Sequence, residues 1–141
     1  MIRYTRLPAD ILDHLKGIPE LLRADGRVVF AYLFGGLARE GPRPLSDVDI
    51  AVFLREPVSN VADTKMSIFD SISDLLGTSE IDLVILNNSP ISLTGRILQT
   101  RKVLLDTEPF VRHRFESLKL REYSDFHIKE RTFFERRYSH G

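Results

Sequence analysis

Seven consecutive residues, Val28-Val29-Phe30-Ala31-Tyr32-Leu33-Phe34, carry no charge and are rich in β-branched and aromatic side chains. A strand with one wet face alternates apolar with polar residues, and this one does not, so both of its faces must be covered. The chain therefore has to place packing layers on two sides of a sheet, and Gly35-Gly36 ends the run. The remaining periodicities supply those layers. Ile11, Leu12, Leu15, Ile18 and Leu22 fall at helical spacing over residues 9 to 23, and Pro19 opens a second short helix. Val48, Ile50, Val52 and Leu54 occupy one side of a second strand, with Asp47, Asp49, Ala51 and Phe53 on the other. Asn60 caps a helix whose expected face is Met66, Phe69, Ile72, Leu75 and Leu76, ended by Gly77. Ile81 to Leu86 reads as a third strand. Ser89-Pro90 starts another helix, Lys102 to Asp106 is a short strand, and a long helix follows over about residues 108 to 137. Strands alternating with helices predict an α/β (α+β) domain around one central sheet.

With 141 residues, no internal repeat and no glycine-serine linker, the expectation is one domain spanning 1–141. The absence of cysteine excludes a thiolate nucleophile and Cys-ligated zinc or iron–sulfur sites. Twenty Lys and Arg balance twenty Asp and Glu, so a general nucleic-acid binder, which usually shows a basic excess, is not expected. Residues 110 to 141 hold eight basic and five acidic residues, a modest basic excess that suits either an acidic partner or a solvated helix with mixed charges. No apolar run approaches the about 18 residues of a membrane span, and the start of the chain lacks a secretory apolar stretch, so a cytoplasmic address is expected. His113, His127 and His140 match no metal-ligand spacing and read as surface or packing residues.

The chemistry concentrates between Gly35 and Asp49. Asp47 and Asp49 lie two apart, so on a strand their carboxylates project from one face with Cα atoms about 6.5–7 Å apart. Two like charges this close on an otherwise apolar strand repel and resist desolvation, and a divalent cation resolves the conflict. Mg²⁺ prefers hard oxygen ligands and often takes one or two carboxylates plus substrate phosphates. Asp-x-Asp by itself is common in loops and at helix starts, and two glycines by themselves make an ordinary turn. Together they carry more, because a backbone without Cβ lets a phosphate approach closely. Asp82, flanked by Ile81 and Leu83-Val84-Ile85, adds a third carboxylate on the next strand. Three carboxylates beside such a turn suit two-metal phosphoryl or nucleotidyl transfer.

Gly35-Gly36, ten intervening residues, then Asp47-x-Asp49 and a later strand Asp resemble the signature of the DNA polymerase beta-like nucleotidyltransferase superfamily. The sequence is most similar to its minimal members, the MNT antitoxins of HEPN/MNT toxin–antitoxin pairs. Gly35, Ala38, Arg39, Gly41, Ser46, Asp47, Asp49, Ile50, Ala51 and Val52 carry the likeness, which covers roughly residues 25 to 106. It implies a mixed central sheet flanked by helices, and Mg²⁺, two ions by analogy, held by Asp47, Asp49 and Asp82 as the catalytic carboxylates. Gly35, Gly36, Arg39 and Ser46 would contact the nucleotide, with Arg43 a further basic group in the loop. Asp82 would take the proton of an acceptor hydroxyl as it attacks the α-phosphorus of ATP and pyrophosphate leaves. The partner implied is a HEPN toxin, adenylylated on a hydroxyl. Gly36 stands where the family has serine, which removes a hydroxyl donor to the triphosphate. That difference keeps an alternative open: a catalytically weak or inactive antitoxin of the same fold that neutralises its toxin by binding.

Overall fold

Strand β1 (Val28–Phe34) is buried at all seven positions, as its uninterrupted apolar run requires. The computed structural model describes residues 10–40 and 47–138. In chain order the elements are α1 (Ile11–Leu15), α2 (Ile18–Asp25), β1, α3 (Gly35–Glu40), β2 (Val48–Leu54), α4 (Val61–Leu76), β3 (Ile81–Ile85), a 3₁₀ turn (Leu86–Asn88), α5 (Ile91–Thr100), β4 (Lys102–Asp106) and α6 (Pro109–Tyr138). The four strands form one mixed sheet in the order β3-β2-β1-β4. β1 pairs antiparallel with β2 and with β4, and β2 pairs parallel with β3. β1, whose uninterrupted apolar run predicts burial on both faces, is one of the two central strands.

Helices cover both faces. Ile11, Leu15, Ile18, Leu22, Ile68, Ile72 and Leu76 of α1, α2 and α4 pack on Ala31, Leu33, Val48, Ile50, Val52, Leu54, Leu83 and Ile85. On the opposite face Phe30, Tyr32, Phe34 and Ala51 meet Ile97 and Leu98 of α5 and Phe115 of α6. A register shift between Val28 and Phe30 lets Val28 join the first cluster while Val29 joins the second with Phe30. Phe30 stacks on Phe53 at 4.9 Å between centroids, and Phe115 tilts against both rings.

Local signals account for the helix ends. Pro19 sits in the first turn of α2. Asn60 accepts the Asp63 N–H at 3.0 Å, and Gly77 closes α4 with φ +71°. The face expected for α4 is shifted, however. Ile68, Ile72 and Leu76 are fully buried, whereas Met66 is 61% exposed. At 100° per residue Met66 lies about 160° from Ile68, and the i, i+4, i+8 stripe beginning at Ile68 wins the core.

A polar network under the second apolar layer fixes α6. Glu116 accepts the Tyr32 hydroxyl at 2.7 Å, Arg101 Nε at 2.9 Å and Arg112 Nη1 at 3.1 Å, and Arg112 Nε also donates to Asp106 at 2.8 Å. Burial opposes ionisation of Glu116, but the hydrogen bonds from Tyr32 and Arg112 and the charges of Arg101 and Arg112 outweigh it and hold its pKa below the ordinary carboxylate value. Burial, then the bond to Glu116, drives the Tyr32 phenol far above its usual value. Leu118, Tyr123, Phe126, Phe133 and Phe134 look in sequence like a stripe for docking on the sheet or another subunit. The sheet is met by Val111 and Phe115 instead, because α6 crosses it only in its first turns. Of the five, Tyr123 is half-buried and packs over α5 at Gly95, while the other four are exposed. His113 and His127 are exposed, and His140 lies outside the described residues. No described helix is long and apolar enough to cross a membrane.

Candidate functional site

The parallel pairing of β2 with β3 aligns Asp49 with Asp82. Partners in adjacent strands stand about 4.8 Å apart, and their side chains share a face. Ile50, Val52, Leu83 and Ile85 fill the α1/α2/α4 side, so Asp49 and Asp82 project on the α5 side. In the other direction Asp49 pairs with Phe34, the last residue of β1, which brings Gly35 against it. Asp82 is exposed rather than embedded, because β3 is the sheet's edge strand; open solvent offsets the cost of its charge.

Gly35 adopts φ +71°, and a Cβ built on it would overlap the Asp49 carboxylate at Oδ2. Its N–H is donated to Thr100 Oγ1 at 3.0 Å. What Gly35 contributes to the site is therefore the space of a missing side chain, with its position held by α5. Gly36 differs: its φ is not left-handed, it is exposed, and a Cβ there would meet nothing within 4 Å.

A cleft of about 370 Å³ opens above these groups. Gly35, Arg39, Asp49 and Asp82 line it, so four of the residues singled out from sequence meet in one place. Asp47 immediately precedes β2 and is not part of this lining. Ser46 and Arg43 lie outside the described residues. The far wall is α5, whose Leu93, Arg96, Ile97 and Thr100 follow the i, i+3, i+4, i+7 spacing of one helical face, with Gln99 beside them. Sequence reasoning missed this wall, because an arginine and a threonine four apart on a helix docked by Ile97 and Leu98 carry no motif. Asp82 also borders a second hollow of about 270 Å³ along β3, together with Lys65, Asn88 and Ser89.

Among the described residues no three His, Asp or Glu side chains converge closely enough to hold a metal by themselves. Two adjacent carboxylates with hard oxygen donors nevertheless fit Mg²⁺, which usually keeps waters and completes its shell with substrate phosphates. The space that a Cβ on Gly35 would fill is taken by the Asp49 carboxylate, so the glycine is what lets this ligand stand against the turn.

A family model described as Polymerase beta, Nucleotidyltransferase matches residues 16–110. Solved structures share the fold. A chain from a mutant of the toxin–antitoxin pair MntA-HpeT is 20% identical with a TM-score of 0.71, over 86% of this chain and 95% of that one. A chain from the complex of a tri-AMPylated Shewanella oneidensis HEPN toxin with its MNT antitoxin is 20% identical, TM-score 0.67, over 89% and 96%. A chain from a toxin–antitoxin structure with AMP-PNP is 22% identical, TM-score 0.70, over 87% and 96%. No curated protein matches the chain significantly.

Proposed function

We propose that this chain, which belongs to the polymerase beta nucleotidyltransferase family, is an Mg²⁺-dependent antitoxin that transfers AMP from ATP to a hydroxyl of a HEPN-type toxin in the cytoplasm. The observation that carries the reading is the register pairing Asp49 with Asp82 beside a glycine whose Cβ is excluded by Asp49. Complexes named for a tri-AMPylated HEPN toxin and for AMP-PNP among its structural neighbours support the substrate and the partner.

Asp49 and Asp82 would hold Mg²⁺, with Asp47 reaching in from the start of β2. When bound, the metal supplies charge neutralisation at the phosphates and at the leaving oxygen. Gly35 has no side chain to displace the Asp49 carboxylate, which stands where a Cβ would be, so the glycine keeps that ligand in place beside the turn. Arg39, at the last turn of α3 and in the cleft lining, adds a positive charge to the polyphosphate side. Asp82 borders both the cleft and the neighbouring hollow. An acceptor hydroxyl arriving along β3 would meet its carboxylate first, and Asp82 would take that proton as the oxygen attacks the α-phosphorus and pyrophosphate departs.

Gly36 favours a second reading. With no hydroxyl at that position, a covering antitoxin that binds its toxin without modifying it has the same fold and partner. Incubating the chain with Mg²⁺, labelled ATP and the HEPN partner, then measuring the partner's intact mass, separates the two. Added AMP units that disappear with Asp49→Asn establish transfer. An unmodified partner whose toxicity is suppressed equally by wild type and Asp49→Asn establishes cover alone.

A further inference from the structure

The cleft has two chemically different walls. Asp49 and Asp82 make the sheet wall acidic, whereas α5 faces them with Arg96, Gln99 and Thr100. Among the described residues Arg96 forms no ion pair or hydrogen bond, and it is exposed into the cleft rather than spent on a neighbouring carboxylate. One turn on, Thr100 accepts the Gly35 N–H at 3.0 Å. A hydroxyl has one proton to give and two lone pairs, so this bond uses a lone pair and leaves the O–H as a donor. Arg96 and Thr100 are four apart and therefore neighbours on one helical face.

The geometry points to α5 as the polyphosphate-binding wall of the site: Arg96 receives the terminal phosphates of the nucleotide, and the Thr100 hydroxyl donates to a phosphate beside Gly35, supplying from the opposite side the hydroxyl that Gly36 lacks. This assignment rests on the nucleotidyltransferase reading for the identity of the nucleotide, but its chemistry is that of a polyphosphate alone. A planar guanidinium suits paired phosphate oxygens, and a cation facing two carboxylates across a cleft sorts a metal-bound polyphosphate, metal to the acidic wall and free oxygens to the basic one. Thr100 also ties this wall to the Gly35 turn, so the phosphates and Asp49 are positioned by one rigid contact.

Calorimetric titration of the full chain with Mg-ATP, AMP and inorganic tripolyphosphate tests it. Arg96→Gln, an exposed change that leaves the fold intact by circular dichroism, should weaken Mg-ATP and tripolyphosphate by about tenfold or more while AMP binding is unchanged. Thr100→Ser should bind as wild type does, and Thr100→Val should lose about tenfold. Equal ATP-to-AMP affinity ratios in wild type and Arg96→Gln overturn the assignment, as does failure of the wild type to bind tripolyphosphate. Tripolyphosphate binding that depends on Arg96, with no preference for ATP over it and no transfer to a partner, upholds the polyphosphate wall and removes the nucleotidyltransferase reading.

Discussion

Gly35 and Gly36 are adjacent, yet the structure assigns them opposite tolerances. At Gly35 an alanine has to hold a left-handed conformation, which costs about 1–2 kcal/mol for a residue with a Cβ. Its methyl would also overlap Asp49 Oδ2 and press on Asp49 Cγ at 3.1 Å. Because the overlapping atom ends a side chain, Asp49 can turn away, and the consequence falls on function more than on folding. From the backbone cost alone, Gly35→Ala should lower Tm by about 3–8 °C for a domain of this size. With Asp49 displaced, Mg-ATP affinity should fall by at least about tenfold. Gly36→Ser meets nothing within 4 Å and needs no unusual φ. Within α3 serine is about 0.5 kcal/mol better than glycine, so this variant should melt at or slightly above wild type. It should also raise AMP transfer, because the added hydroxyl gives the triphosphate another donor. Differential scanning calorimetry and titration with Mg-ATP on the two variants check the whole argument. Gly35→Ala binding as tightly as wild type, or Gly36→Ser melting as low as Gly35→Ala, would refute it.

Asp82→Asn should retain most Mg-ATP affinity yet lose transfer to the partner, whereas Asp49→Asn should lose both; parallel titration and mass measurement distinguish them. Asp47→Asn should remain folded and lose Mg²⁺-dependent nucleotide binding, so unchanged affinity would remove it from the metal site. The Glu116 pKa is depressed in the fold, so its stabilisation is present above the unfolded value near 4.5 and is lost as pH falls through the lower folded value. Glu116→Gln should cost about 2 kcal/mol at neutral pH by leaving Arg101 and Arg112 short of a partner, and should flatten the acid limb of a denaturation-against-pH profile. Gly95→Ala drives a methyl into the Tyr123 ring, so it should destabilise by about 1–3 kcal/mol, and the penalty should shrink in a Tyr123→Ala background.

What could be read from the sequence and what could not divide along a physical line. β1 is legible because burial on both faces leaves no charged residue anywhere in it, and α4 has its cap and stop written in Asn60 and Gly77. The α4 face is less legible: Met66 and Ile68 are both apolar, and only packing against β2 and β3 chooses the stripe that begins at Ile68. Glu116 looks like the partner of Arg112 on a solvated helix, four residues on, until the docking of α6 buries it over Tyr32.

The site shows the same division more sharply. Asp49 and Asp82 are each visible as acidic residues among apolar strand neighbours, but their alignment depends on the register of two parallel strands joined through α4, a non-local quantity. Thr100 and Arg96 carry no motif, since a threonine and an arginine at a helix surface are unremarkable until the strand order puts β1 beside both β2 and β4. That order places the end of α5, just before β4, against the end of β1, just before Gly35. The acidic wall thus follows from the β2–β3 pairing and the polar wall from the β1–β4 pairing, and β1 is the strand through which the two are held at a fixed separation. A substitution that shifts β1's register should therefore disturb both walls together, although no residue of β1 except Phe34 lines the cleft.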